Sequence, residues 1–241
     1  MFSSAVTDHW KQTFSEGDLL FADADFSITV NPALEDDENG TVLETGGKTF
    51  VSIRPALAAQ LELKQNSRLS AQDFRQKLAE NDIRLHGADY LFYFPAGAAA
   101  ALPPQSGTVR QLTQADEAAF AQFCAASSED DLDAAYVELD HWLVYGAFEE
   151  DKLVCAASMY PWNETKLADM GVLTLPAFRG KGHARNVVHA ISKHASSLGY
   201  EPQYRCQLDN AASVHLAKSA GLHLFGTWDV IITGDESIES E

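Results

Sequence analysis

Cysteine is scarce in this chain: Cys124, Cys155 and Cys206 are the three among 241 residues. Their odd number and wide spacing exclude a disulfide framework and match no metal-ligand pattern. They read as free thiols in a reducing compartment, and no metal is expected. Long apolar runs are also missing, since none approaches the ~20 residues of a membrane-crossing helix. The opening Met1–Trp10 has neither a basic start nor an apolar core, so no signal peptide is visible. These absences predict a cytoplasmic protein with no membrane partner. Positive charge is the third shortage. There are 17 Lys and Arg against 35 Asp and Glu, a net charge of −18, which argues against a nucleic-acid or anionic-membrane surface.

Apolar material is ample, at 46% of residues, enough for one substantial core or two small ones. Ser3–Phe14 predicts a short helix, and Asp25–Val30 alternates as a half-buried strand does. Glu35–Gly40 reads as a solvated acidic loop, too short and wrongly spaced to enclose calcium. Thr41–Thr45 and Lys48–Ile53 flank Gly46-Gly47, a two-residue hairpin signal. Pro55 suits the first position of a helix carrying Leu57 and Leu61. Ser70 and Asp73 cap another, with Phe74 and Leu78 on one face, and Asp89–Phe94 is an apolar strand. Pro95–Gly107 then holds three prolines, two glycines and no charge, the strongest boundary signal in the chain. The expected division is a small α/β domain of unassigned role over 1–105 and a second domain over 106–235.

Beyond that boundary, Thr108–Leu112 is a strand, and Thr113 with Asp116 opens a helix carrying Ala119, Phe120 and Phe123. A second helix after Ser128 would place Leu132, Ala135, Tyr136 and Leu139 on one face. Trp142–Phe148 and Lys152–Tyr160 read as strands joined at Glu149–Asp151, and Leu167–Leu175 as a third. Gln203–Leu208, a helix from Asn210 to Gly221, and Leu224–Ile232 complete the series before an acidic tail, Asp235–Glu241. Periodicity alone gives a mixed α/β class.

The chemistry concentrates in Val172–Arg185. An apolar strand is stopped by Pro176 and followed by a loop with Gly180, Gly182 and the cations Arg179, Lys181 and Arg185. A helix begins at about Gly182. Its buried face is set by Ala184, Val187, Val188, Ile191, Ala195 and Leu198, and Gly199 stands where a C-terminal cap belongs. A strand passing through a glycine turn into a helix leaves unpaired N–H groups at the positive end of the helix dipole, a pocket for a phosphate-like anion. The global charge does not oppose this. Three of the nine basic residues after position 105 lie in Arg179–Arg185, and at a Debye length of ~8 Å cations in contact outweigh distant carboxylates.

Arg179-x-x-Gly182-x-Ala184 after that strand resembles the acyl-CoA signature of the GNAT superfamily of acetyltransferases, Arg/Gln-x-x-Gly-x-Gly/Ala. Asn210–Leu222 resembles a second element of the family, and Val109–Asp116 its usual start; the resemblance covers ~108–232. It implies a GNAT-like fold of class α+β: a mixed, mostly antiparallel sheet flanked by helices, beside the smaller N-terminal α/β domain. It also implies acetyl-CoA as co-substrate, with Val172, Leu173 and Thr174 pairing their backbone with the pantetheine arm. Arg179, Gly180, Lys181, Gly182, His183 and Ala184 would hold the pyrophosphate, and Asn210 and Ser213 would lie beside the cofactor.

The resemblance fails at one position. Many members place a tyrosine seven residues after the asparagine, as the acid for the departing thiolate, whereas this chain has Ala217. Tyr160, Tyr204, Ser213 or water would take that role. A general base is needed because an alkyl amine arrives protonated, and Asp169 on the cofactor strand is the first choice, ahead of Glu138 and Asp140. His141 suits the acceptor side. His183, His189 and His194 lack the i,i+4 spacing of a metal pair. The expectation is an N-acetyltransferase acting by direct attack of a small-molecule or peptide amine in a ternary complex. A catalytically silent CoA-binding sensor or scaffold is the alternative, favoured by Ala217. Homodimer formation and the role of the first domain stay open.

Overall fold

The computed structural model describes all residues except 35–37, 66–67, 105–106, 163–164 and 234–241. Part of the expected acidic loop at 35–40 and the whole acidic tail lie outside the described residues. The helices are α1 (Ser4–Ser15), α2 (Pro55–Gln60), α3 (Ala71–Glu80), α4 (Glu117–Ala125), α5 (Glu129–Ala135), α6 (His183–Ser197) and α7 (Ala211–Ser219). The strands are β1 (Asp18–Ala22), β2 (Phe26–Val30), β3 (Gly40–Thr45), β4 (Lys48–Ile53), β5 (Ile83–Leu85) and β6 (Asp89–Tyr93), followed by β7 (Val109–Gln111), β8 (Leu143–Glu149), β9 (Lys152–Pro161), β10 (Leu167–Thr174), β11 (Glu201–Gln207) and β12 (His223–Thr233).

The chain forms two compact units that interleave in sequence. One comprises Met1–Val6, Phe92–Cys206 and Asn210–Leu224; the other comprises Thr7–Leu91, Gln207–Asp209 and Phe225–Glu241. The contacts therefore do not divide at the proline-rich segment. Around Pro95–Leu102 the backbone instead folds into successive turns, with Ala99 buried.

In the unit built mainly from the first ninety residues, strands run in the order β1-β2-β4-β3-β12, with β5 on β12. The β3–β4 hairpin closes at Thr45↔Lys48, and Gly46 and Gly47 take φ of 59° and 78°, the left-handed pair that a two-residue turn needs. Ser70 and Asp73 form the expected capping box on α3. Phe26, Ile28, Val51, Leu57, Phe74 and Leu78 fill the core between sheet and helices.

The other unit carries strands in the order β11-β10-β9-β8-β7, antiparallel except for β10 with β11. On one face, Phe120 and Phe123 of α4 pack with Ala156 of β9 and Leu173 of β10. The β8–β9 turn is Glu150-Asp151, both with positive φ despite their side chains. Two sequence expectations change here. α5 ends at Ala135, because Tyr136 turns left-handed (φ 45°), so Leu139 lies past the helix in the following loop. Leu198 is 47% exposed as the cap residue of α6 and leaves the buried face to Val187, Val188, Ile191 and Ala195.

Candidate functional site

β10 is bound differently on its two edges. It pairs with β9 from Ala168↔Pro161 through Thr174↔Cys155. With β11 it pairs only over Leu167–Asp169, against Glu201–Gln203. From Met170 onward the two parallel strands part, and the backbone edge of Val172, Leu173 and Thr174 has no strand partner on that side among the described residues. Leu173 is anchored in the core beneath α4, so the strand is held by one face and one edge while the other edge opens.

The parted strand leads through Pro176–Phe178 into the loop. Gly180 and Gly182 have φ of 77° and 86°, a region that costs side-chain-bearing residues ~1–2 kcal/mol. A Cβ on Gly180 would meet nothing within 4 Å, and one on Gly182 only the tip of Arg185. Space therefore lies open beside both. Gly182 is the N-cap of α6 and supplies no side-chain cap. Among the described residues, the N–H groups of 180–185 find no protein acceptor; the first intrahelical bond is Asn186 N–H to the Gly182 carbonyl, 3.1 Å. Six consecutive amides with nothing to donate to, at the dipole end of a fifteen-residue helix, fit an oxyanion ligand of diphosphate size.

The cations of the loop rest on carboxylates of the same unit. Arg179 donates from Nε to the Thr174 carbonyl (3.1 Å) and from Nη2 to Asp131 (2.9 Å). Lys181 Nζ reaches both oxygens of Glu149 (3.2 and 3.1 Å), and His183 Nε2 meets the same carboxylate at 2.7 Å. Lys181, then His183, hold the Glu149 carboxyl below its ordinary range. The Arg179 and Lys181 cations are about half exposed, so their pairs are of small net worth and easily exchanged for a more highly charged anion. Glu149 was not foreseen; its position at the end of β8 gave no sign that it would face a loop thirty residues on.

At the start of α7, the Asn210 side chain accepts the Ser213 N–H (3.0 Å), which makes it the helix cap. The Ser213 hydroxyl stands beside the phenol of buried Tyr204, which burial pushes up to about 12. Ala217 is fully buried on the same helix.

The carboxylates proposed as bases sit in contrasting surroundings. Asp169 is 6% exposed and receives Gln203 Nε2 (3.0 Å), Arg205 Nε (3.0 and 3.2 Å) and Nη2 (2.7 Å), and the Tyr160 hydroxyl (3.3 Å). A carboxylate has about four acceptor positions, and these contacts occupy them all. Asp169 is thus held inside a closed network of four donors. Tyr160, pushed up to about 12 chiefly by burial and then by Asp169, points its proton at that same carboxylate. Glu138 is exposed, and its backbone N–H donates to Ser158 Oγ (3.3 Å). Asp169 and Tyr160 are thus brought together, while Glu138 lies on the loop beyond α5.

Two further residues shape this face. A Cβ on Gly171 would fall 2.0 Å from the Ala135 carbonyl, so only glycine lets the end of α5 lie on β10. His141 Nδ1 meets the buried Ser158 hydroxyl at 2.8 Å. Among the described residues no group of three metal-ligating side chains occurs, and no helix is long and apolar enough to cross a membrane.

Comparison with known proteins bears on the fold. Residues 109–222 match the family model described as the acetyltransferase (GNAT) family. Among solved structures, the chain is similar to a GCN5-related N-acetyltransferase from Kribbella flavida, with 14% identity, 99% and 98% of the two chains covered and a TM-score of 0.55. An acetyltransferase of the GNAT family from Colwellia psychrerythraea gives 17% identity, 76% of each chain covered and a TM-score of 0.53. No curated protein sequence matches.

Proposed function

From a C-terminal half that has the GNAT superfamily fold, we propose that this protein is an acetyltransferase that uses acetyl-CoA and transfers the acetyl group to an amine. The observation that carries the reading is the run of unpartnered amides at 180–185, adjoining a strand edge that opens at Met170. In this reading the N–H groups of Gly180–Ala184, with Arg179 and Lys181, hold the diphosphate. The free edge of Val172–Thr174 pairs with the amide groups of the pantetheine arm, and Asn210 and Ser213 border it. A backbone N–H along this edge stabilises the oxyanion formed as the amine attacks the thioester carbonyl. The C–S bond then breaks, and the thiolate takes a proton from water or from the Tyr204–Ser213 pair, which stays protonated at neutral pH. With a thiol pKa of ~8.5, this leaving group needs little help. Asp169 anchors Arg205, Gln203 and Tyr160 rather than moving protons.

Thermal unfolding tests the binding half of the reading. CoA at a hundred times its dissociation constant adds ~2.7 kcal/mol to the folded state, a rise of several degrees in Tm. Gly182→Asp, which puts a carboxylate against the diphosphate, removes that rise. A wild-type protein that shows no shift contradicts the proposal.

A second reading, a CoA-binding module without catalysis, is favoured by Ala217, which leaves α7 with no hydroxyl where many members carry their acid. Acceptor-dependent release of free thiol from acetyl-CoA separates the two: an enzyme shows it, a sensor does not.

A further inference from the structure

With Asp169 saturated, the acceptor amine still needs a group to take its proton. We propose that His141 is the general base of the transfer, held by Ser158 with Nε2 directed at the acceptor; this rests on the acetyltransferase reading above. Its position comes from the register. Ser158 of β9 lies opposite Gly171 of β10, two residues past Asp169↔Gln203, the last pair before β10 and β11 part. His141, bonded to Ser158, therefore lies over β9, one strand from the edge of β10 that opens, on the sheet face shared by Ser158, Tyr160 and Asp169.

The proposed role requires the tautomer with its proton on Nδ1. The Ser158 hydroxyl is fully buried and has one proton, with the Tyr136 carbonyl (3.5 Å) and His141 Nδ1 (2.8 Å) both in reach, while the Glu138 N–H (3.3 Å) donates into its oxygen. In the required tautomer that proton goes to Tyr136, Nδ1 donates to Ser158, and the lone pair is on Nε2, which has no protein partner among the described residues. The ring is one corner of a three-ring cluster: Tyr136 and Tyr160 each lie 5.0 Å from it, centroid to centroid, at 63° and 55°, and 5.8 Å from one another. Tyr136 presents its ring from the left-handed residue that ends α5.

The protonation state suits the role. Burial lowers the pKa of His141, opposed by Glu138 and Asp140 on its own loop. The rings of Tyr136 and Tyr160 face it, burial first of all raises the Tyr160 phenol to about 12, and the Asp169–Arg205 pair behind Tyr160 is internally compensated. The imidazole is thus neutral at pH 7 and free to accept a proton. Nε2 takes one proton from the arriving ammonium and passes it to solvent; the freed lone pair forms the N–C bond, the C–S bond breaks, and the second proton leaves the nitrogen to water.

The experiment is acetyl transfer by full-length wild type, His141→Gln and Ser158→Ala. The acceptor probes are glycylglycine, an alkyl amine and methoxyamine, the last already neutral at pH 7. His141→Gln is expected to lose ~100-fold in kcat on the two protonated amines, but under tenfold on methoxyamine, with KM for acetyl-CoA and the CoA-induced rise in Tm unchanged. The wild-type kcat/KM falls on the acid side of His141 titration, and that limb disappears in the variant. Ser158→Ala keeps the imidazole and loses several-fold. In the free protein, nitrogen NMR shows Nδ1 protonated and Nε2 bare. A His141→Gln enzyme within twofold of wild type, or equally slow on all three amines, overturns the assignment, as does the opposite tautomer. A wild type inert toward every amine refutes the transfer reading itself, and the CoA shift then shows whether cofactor binding survives it.

Discussion

The anion loop at 179–185 and the face around Ser158 and Asp169 belong to the same unit, yet they are made of different material. On the proposed reading, the loop works through its main chain: amides of six successive residues, two glycines in left-handed conformation, and cations that merely add charge. The face is made of side chains drawn from the loop after α5, β9, β10 and β11, each fixed by another. A site of the first kind tolerates exchange of most side chains but not of its glycines. A site of the second kind fails when any member of the network is removed.

That contrast predicts a gradient of effects. The largest belongs to Asp169→Ala, which strands the Arg205 guanidinium and the amide of Gln203 around a missing anion. Denaturant unfolding should show a loss on the order of 3 kcal/mol; a loss under 1 kcal/mol would mean the face is not an interlocked network. Next comes Gly171→Ala. Its methyl group would collide with the Ala135 carbonyl, and displacing α5 is expected to cost about 2 kcal/mol. Because Tyr136 moves with it, acetyl transfer should fall further than CoA binding.

Gly180→Ala is the corresponding probe of the loop. Nothing would clash, since no atom lies near the new Cβ, so the stability change is the backbone term alone, about 1 kcal/mol. CoA affinity measured by calorimetry should nevertheless drop markedly, and unchanged affinity would show that the main chain is not the binding element. The smallest effect is Glu149→Gln. Freed from the carboxylate that holds them, Lys181 and His183 meet the diphosphate without a competitor, and CoA binding should tighten slightly. Weaker binding would mean that Glu149 positions these cations instead.

The same contrast explains what could be read from sequence. The conformation of the loop was legible because it is local: glycines, a proline stop and cations within fourteen residues state the backbone path and the charge together. The Gly46-Gly47 turn and the Ser70 and Asn210 caps were legible for the same reason. The face was not. From sequence Asp169 is the first choice of general base, with no sign of its partners, because Arg205 and Gln203 reach it from a strand more than thirty residues away. The His141–Ser158 bond spans the β8–β9 hairpin and leaves no spacing signature. β1 and β5 were missed because one is mostly exposed and the other only three residues long. The division at Pro95–Gly107 followed composition, whereas the contacts follow strand pairing, which returns β12 to β3 near the other end of the chain.

The central claim, that main-chain amides at 180–185 hold the diphosphate, is tested most directly by amide NMR of the labelled protein titrated with CoA. Downfield movement of the amide protons of Gly180 to Arg185, larger than anywhere outside β10 and lost in Gly182→Asp, is the predicted result. Saturation with CoA that leaves those six resonances in place would contradict it.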